Sequence, residues 1–146
     1  MSEDKVFLDT NIFVYMYDAS EVAKREISLS LLDDNECVSS TQVVNEISNV
    51  LLRKIKVPID KVKQVVNDIF QISDVKAIDS TTIFHALDLV AQYKFSYYDC
   101  LILASALESD CRILYSEDMG DGQIIENKQI PVEPISDIPK GTAASN

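Results

Sequence analysis

Four acidic residues stand where a folded domain has reason not to place them. Asp9 directly follows the apolar run Val6-Phe7-Leu8, and Asp118 follows a second run ending Ile113-Leu114-Tyr115. Each therefore projects from the carboxyl end of an expected β-strand. Glu46 lies in an expected helix over 41–55 whose apolar members are Val43, Val44, Ile47, Val50 and Leu51. At about 100° per residue it falls between Val43 and Val50, beside the inward stripe. Asp99 heads the stripe Ile102, Leu103 and Ala106 in an expected helix over 97–109, where a lone charge is expensive to bury.

Each acid also has an ordinary explanation. Asp9 can cap the helix that starts near Ile12, although Asn11 can take that cap instead. Glu46 can reach out to water from the border of its stripe. Ser96-Tyr97-Tyr98-Asp99 reads as a capping box, and Asp118, with Glu117 and Asp121 beside it, sits in an acidic turn. Two strand-end acids and two acids on flanking helices are more simply explained by one shared site. Gathered carboxylates repel one another, so they persist as anions around a cation, and hard oxygen ligands suit Mg²⁺ or Mn²⁺.

The elements that position these acids alternate. Short apolar segments at Val6-Phe7-Leu8, Cys37-Val38, Val75-Lys76-Ala77-Ile78 and Arg112-Ile113-Leu114-Tyr115 are separated by helical stretches over 12–18, 21–32, 41–55, 58–70, 82–93 and 97–109. Ser39, Ser40 and Thr41 are cap candidates for the third helix, Ser80 for the fifth and Ser96 for the sixth. Ile124-Ile125 and Val132 are weaker extended segments. This alternation predicts an α/β fold in three α/β/α layers, with a central, mainly parallel sheet of four to five strands. In such sheets ligands bind beyond the carboxyl ends of the strands, where the strand order reverses.

Composition narrows the class. The 146 residues fit one domain, expected over 1–139 with a disordered tail over 140–146, and 47% hydrophobic residues suffice for a core. No apolar run is long enough to span a bilayer and the first residues are polar, so a cytoplasmic protein without membrane association is expected. Cys37, Cys100 and Cys111 are isolated and not at zinc spacings, and they read as buried thiols. The net charge of −11 argues against nucleic-acid binding through the overall field. Against that background Arg53, Lys54, Lys56, Lys61 and Lys63 form a local basic run with a single acid, Asp60. A solvated helix corner and a basic contact edge are both open readings of it.

The segments Phe7-Leu8-Asp9-Thr10-Asn11, Val44-Asn45-Glu46-Ile47, Tyr98-Asp99-Cys100-Leu101-Ile102 and Leu114-Tyr115-Ser116-Glu117-Asp118 resemble, in order and interval, the four signature motifs of the PIN-domain nucleases. The resemblance runs from about Lys5 to Ile135 and is nearest in length to VapC-type toxins of toxin–antitoxin pairs. It implies RNA cleavage with Mg²⁺ or Mn²⁺, with Asp9, Glu46, Asp99 and Asp118 as the catalytic acids. Asp9, Asp99 and Asp118 would hold the metal, while Glu46 would serve as a ligand through water or as a general base. The family's frequent fifth acid falls at Gly120, so Asp121 would have to substitute. Asn11, Ser116 and Glu117 would support the acids. The resemblance further implies a homodimer and an antitoxin partner.

Other patterns are weaker. His85 has no nucleophile pattern nearby and reads as packed or capping. Tyr15, Tyr17, Tyr93, Tyr97 and Tyr98 can stack bases, although in helices such residues more often pack. A haloacid-dehalogenase-type phosphatase also begins from a strand-end Asp, but it needs a second acid where this chain has Asn11. The non-enzymatic alternative is a silent PIN-like module that binds RNA or a protein.

Overall fold

The computed structural model describes residues 4–117, 119, 124–125 and 130–133. Chain order runs β1 (Asp4–Leu8), α1 (Thr10–Met16), α2 (Val22–Asp34), β2 (Asn35–Ser40) and α3 (Thr41–Asn49). A π-helical segment, Val50–Lys54, extends α3 and is followed by α4 (Ile59–Ile72), β3 (Asp74–Lys76), α5 (Ser80–Gln92) and α6 (Tyr97–Glu108). Strands β4 (Ile113–Tyr115), β5 (Ile124–Ile125) and β6 (Ile130–Glu133) complete the order.

The sheet is ordered β3-β2-β1-β4-β6-β5. All pairs from β3 to β6 are parallel, and only the edge pair β5–β6 is antiparallel. The expected parallel α/β/α fold is therefore the observed one, with the weak segments near Ile124 and Val132 extending the sheet beyond β4. Steps from β1 to β2 and β2 to β3 go one way, whereas β4 returns to the other side of β1. Right-handed crossovers then put the first two connections on one face and the α5–α6 return on the other.

β1 is central and its inner residues Val6, Phe7 and Leu8 are at most 1% exposed, as expected for a strand covered on both faces. Helix α6 is buried along its whole length from Cys100 to Leu107, because it is apolar on every side and lies between the sheet and α5. The thiols of Cys37, Cys100 and Cys111 are all buried.

One open reading about caps is decided and one expectation needs correction. Asp9 itself is the N-cap of α1, its Oδ1 accepting from Thr10 N–H at 2.6 Å, so the helix begins earlier than expected and Asn11 lies inside its first turn. For α5 the cap is Asp79 rather than Ser80. Its Oδ1 accepts from the backbone N–H and the hydroxyl of Thr82, both at 3.0 Å. A carboxylate outcompetes a hydroxyl there because an ionised acceptor makes the stronger hydrogen bond. Ser40 and Ser96 cap α3 and α6 as expected.

Candidate active site

The strand order reverses between β1 and β4, and Asp9 stands at that point. Its backbone N–H continues the ladder one residue past β1, donating to the Tyr115 carbonyl at 3.1 Å. On the other side of β1, Ser39 Oγ donates to the Leu8 carbonyl at 3.0 Å. The chain on both sides of β1 thus fixes the exit of this strand, and Asp9 is only 2% exposed.

Both carboxylate oxygens of Asp9 are engaged. Oδ1 caps α1, and Oδ2 accepts the Ser116 hydroxyl at 2.6 Å. Ser116, just beyond β4, is itself fully buried. Thr10, the first residue of α1, donates its hydroxyl to Glu46 Oε2 at 2.5 Å, and Gln42 Nε2 reaches Glu46 Oε1 at 3.3 Å. A chain of neighbours therefore runs from Ser116 through Asp9 and Thr10 to Glu46. Glu46 is half-buried, as its place beside the inward stripe suggested.

Topology carries Asp99 to the same edge. Helix α6 leads into a strand parallel to β1, so its first turn lies at the carboxyl edge of the sheet. α3 packs against both α1 and α6. Asp99 is half-buried in that first turn and its backbone N–H donates to Ser96 Oγ at 3.1 Å, one half of the anticipated capping box. Beside it in the chain, burial pushes the Cys100 thiol up.

Glu117 follows Ser116 and faces a cation. Its Oε1 lies 3.7 Å from Lys24 Nζ and accepts from the Tyr15 hydroxyl at 3.3 Å. Lys24 also donates to the Tyr15 hydroxyl at 3.3 Å and stands 4.8 Å from the ring centroid. Burial, the largest influence, raises the Tyr15 phenol above its ordinary value, and the nearby Lys24 opposes that rise. Glu117 Oε2 is buried with no hydrogen-bond partner among the described residues.

Asp9, Glu46, Ser116 and Glu117 are thus brought to one edge, with Asn11 in the first turn of α1 beside them. Asp118 and Asp121 lie outside the described residues, and among the described residues no three His, Cys, Asp or Glu side chains gather closely enough for a metal ion. Sequence reasoning does not single out Thr10, Gln42 or Lys24, and it offers Tyr15 only as a stacking or packing residue, not as a partner of Glu117. Thr10 had a signal, a hydroxyl immediately after the strand-end acid, but its partner lies 36 residues away. His85 belongs elsewhere. Its Nδ1 is 3.0 Å from Glu108 Oε2, tying α5 to α6. A cavity of 330 Å³ near that tie, lined by Lys5, Lys76, Asp79, Thr82 and Glu108, lies at the other end of α6 from Asp99.

A mainly parallel sheet with an aspartate capping the first helix at its switch point defines a PIN-like α/β protein. The PIN domain family model matches residues 6–120, and the chain belongs to that family. VapBC2 from Rickettsia felis, bound to a DNA fragment from their promoter, is similar in structure with a TM-score of 0.62. It is 17% identical over 89% of this chain and 98% of that one. VapC20 from Mycobacterium tuberculosis, a sarcin-ricin loop cleaving toxin, gives a TM-score of 0.63 at 15% identity, over 77% of this chain and 91% of that one. FitAcB from Neisseria gonorrhoeae gives 0.60 at 14% identity, covering 91% and 99%. At these identities the likeness is one of fold. No curated protein matches the chain by sequence. No helix among the described residues is long and apolar enough to cross a membrane.

Proposed function

We propose that this chain is a metal-dependent endoribonuclease that hydrolyses RNA phosphodiester bonds, and the toxin of a cytoplasmic toxin–antitoxin pair. The observation that carries the reading is Asp9, an almost wholly buried carboxylate at the sheet's switch point, gripped by Ser116 and joined through Thr10 to Glu46. Capping one short helix does not require a hydroxyl from a distant strand to hold the second oxygen.

The donor set fits a hard divalent cation such as Mg²⁺ or Mn²⁺. The groups at this edge are carboxylate oxygens, and Glu117 Oε2 is a buried oxygen without a hydrogen-bond partner among the described residues. Asp9, Asp99 and Asp118 would hold the ion, with Asp121 added where a second is bound. When bound, the ion neutralises charge on the phosphate and acidifies a water molecule.

The chain's own residues do the rest. Ser116 and the backbone N–H of Thr10 fix the direction of Asp9. The Thr10 hydroxyl and the Gln42 amide orient Glu46, which takes the proton from the attacking water. Lys24 offsets the charge of Glu117 at the rim, limiting repulsion of the incoming phosphate. In the same proposal the protein is a homodimer held inactive by an antitoxin.

The test is cleavage of several RNAs with Mg²⁺ and with Mn²⁺ by the wild type, Asp9→Asn, Asp99→Asn and Glu46→Gln. The expected result is cleavage that EDTA abolishes, with losses of roughly 100-fold or more in each variant. Equal cleavage by all four proteins, or none by the wild type with either ion, overturns the reading. Cleavage by the wild type also excludes a silent binding module.

A further inference from the structure

We infer that the basic corner between α3 and α4 is the surface on which the RNA strand rests outside the candidate active site. This rests on the ribonuclease reading and adds the place where the substrate's backbone is held. Arg53, Lys54, Lys56, Lys61 and Lys63 supply five of the chain's 13 cations within eleven residues. All five are exposed. Elsewhere among the described residues the cations stand singly or in pairs in the sequence, and three of them are held by acids: Lys24 by Glu117, Lys76 by Asp74 and Arg112 by Asp4. Among the described residues none of the five corner cations forms an ion pair.

The backbone gathers them. The π-helical segment Val50–Lys54 ends α3, with Ile55 N–H donating to the Val50 carbonyl at 3.1 Å and Val57 N–H to the Leu51 carbonyl at 2.8 Å. Between those bonds Lys56 takes a left-handed conformation, φ 58°, where glycine is the easier residue. This tight reversal sets Arg53, Lys54 and Lys56 beside the opening turns of α4, which carry Lys61 and Lys63.

The occupant follows from charge and position. The chain carries 24 acids and a net charge of −11, so most of its surface repels a polyanion and this corner is where one is attracted. A second copy meeting it symmetrically would set the cluster against itself. An acidic protein segment satisfies the charge but not the placement, because the corner continues the helix that bears Glu46. From Glu46 to Arg53 is roughly 10 Å of helix axis, about three nucleotides of a stacked strand. A strand cut at the Asp9 edge therefore reaches the corner with its flanking phosphates.

The experiment is binding of a labelled oligoribonucleotide, followed by fluorescence anisotropy across a KCl series at constant Ca²⁺ in place of Mg²⁺, with the recovered strand checked on a gel to be intact. Removing three contacts in Arg53→Gln/Lys54→Gln/Lys56→Gln should flatten the log–log salt slope by about 2 and weaken binding on the order of 10- to 100-fold near 0.1 M salt. Lys61→Gln/Lys63→Gln, which leaves the π-helical segment untouched, should flatten it by about 1.4. Arg112→Gln, just before the amino end of β4 and so at the edge of the sheet opposite the candidate active site, should change the slope least. Unchanged slopes in both corner variants, a per-charge effect of Arg112→Gln as large as theirs, no binding by the wild type, or preference for poly-glutamate over RNA each overturns the inference. Cleavage assays separate it from its premise. Cleavage with unchanged slopes removes the corner and leaves the nuclease, whereas lost slopes without cleavage do the reverse.

Discussion

The Ser116 hydroxyl donates to Asp9 Oδ2 at 2.6 Å across 107 residues of chain, joining the exits of β1 and β4 inside the protein. The two strands are already paired at Leu8 and Tyr115, and the Asp9 N–H extends that pairing by one rung. The side-chain bond therefore stands on a backbone frame that leaves neither residue room to turn away.

Ser116→Ala should cost about 1–3 kcal/mol of stability, because it removes a partner from a carboxylate that is almost wholly buried. RNA cleavage should fall by about tenfold or more, since a loosened Asp9 no longer holds its direction. Denaturant unfolding and cleavage rates check the two effects separately. Wild-type values in both would show that this bond contributes nothing.

Thr10 and Glu46 should be energetically coupled. Thr10→Val keeps the shape of the side chain and removes only the donor, while Glu46→Gln removes the charge of the acceptor. In a double-mutant cycle on stability the coupling should be about 1 kcal/mol, a charge-assisted bond discounted for the half-exposed position of Glu46. Additive single effects would contradict the bond.

Asp79 gives a prediction in pH. The backbone N–H and hydroxyl of Thr82 donate to it and lower its carboxyl from the ordinary aspartate value. A group whose pKa is lower when folded contributes stability above its unfolded value, and that contribution is lost as pH falls through the folded value. Asp79→Ala should therefore be less stable than wild type near neutrality, with the gap narrowing on acidification below the usual aspartate range. Thermal unfolding of both proteins across that range measures it, and a gap independent of pH would contradict the assignment.

The thiols should be silent until the protein opens. Burial pushes Cys111 up to about 12 and raises Cys100 as well, and all three cysteines are buried. A thiol-disulfide reagent near pH 8 should label none of them in the folded protein and three on denaturation. Fast labelling of the native protein would mean that the core breathes.

Much of this was legible in the sequence because it is local. Val6-Phe7-Leu8 followed by Asp9 signals a buried strand that ends in an acid, and Ser40 and Ser96 announce their helices. Glu46 showed its half-buried position through its angle to Val43 and Val50. What stayed hidden depends on competition or on distance. Asp9 and Asn11 are both good caps, and only the ladder bond to Tyr115 decides in favour of Asp9. Asp79 and Ser80 compete in the same way. The π-helical turn at Val50–Lys54 leaves no mark in a run that keeps its apolar spacing through Leu51. No local pattern could join Thr10 to Glu46 or Asp9 to Ser116.

The sheet order also decides when the protein becomes complete. A chain made from its amino end finishes β1, β2 and β3 early, yet β1 keeps one edge unpaired until β4 arrives beyond α6. Non-local parallel pairing of this kind is slow to form, since a long loop must close before any contact rewards it. Ser116 leaves the ribosome later still, so nascent chains carry Asp9 through most of synthesis without its clamp. A molecule proposed to cut RNA is thus assembled harmless, and gains its edge only with its last parallel strands.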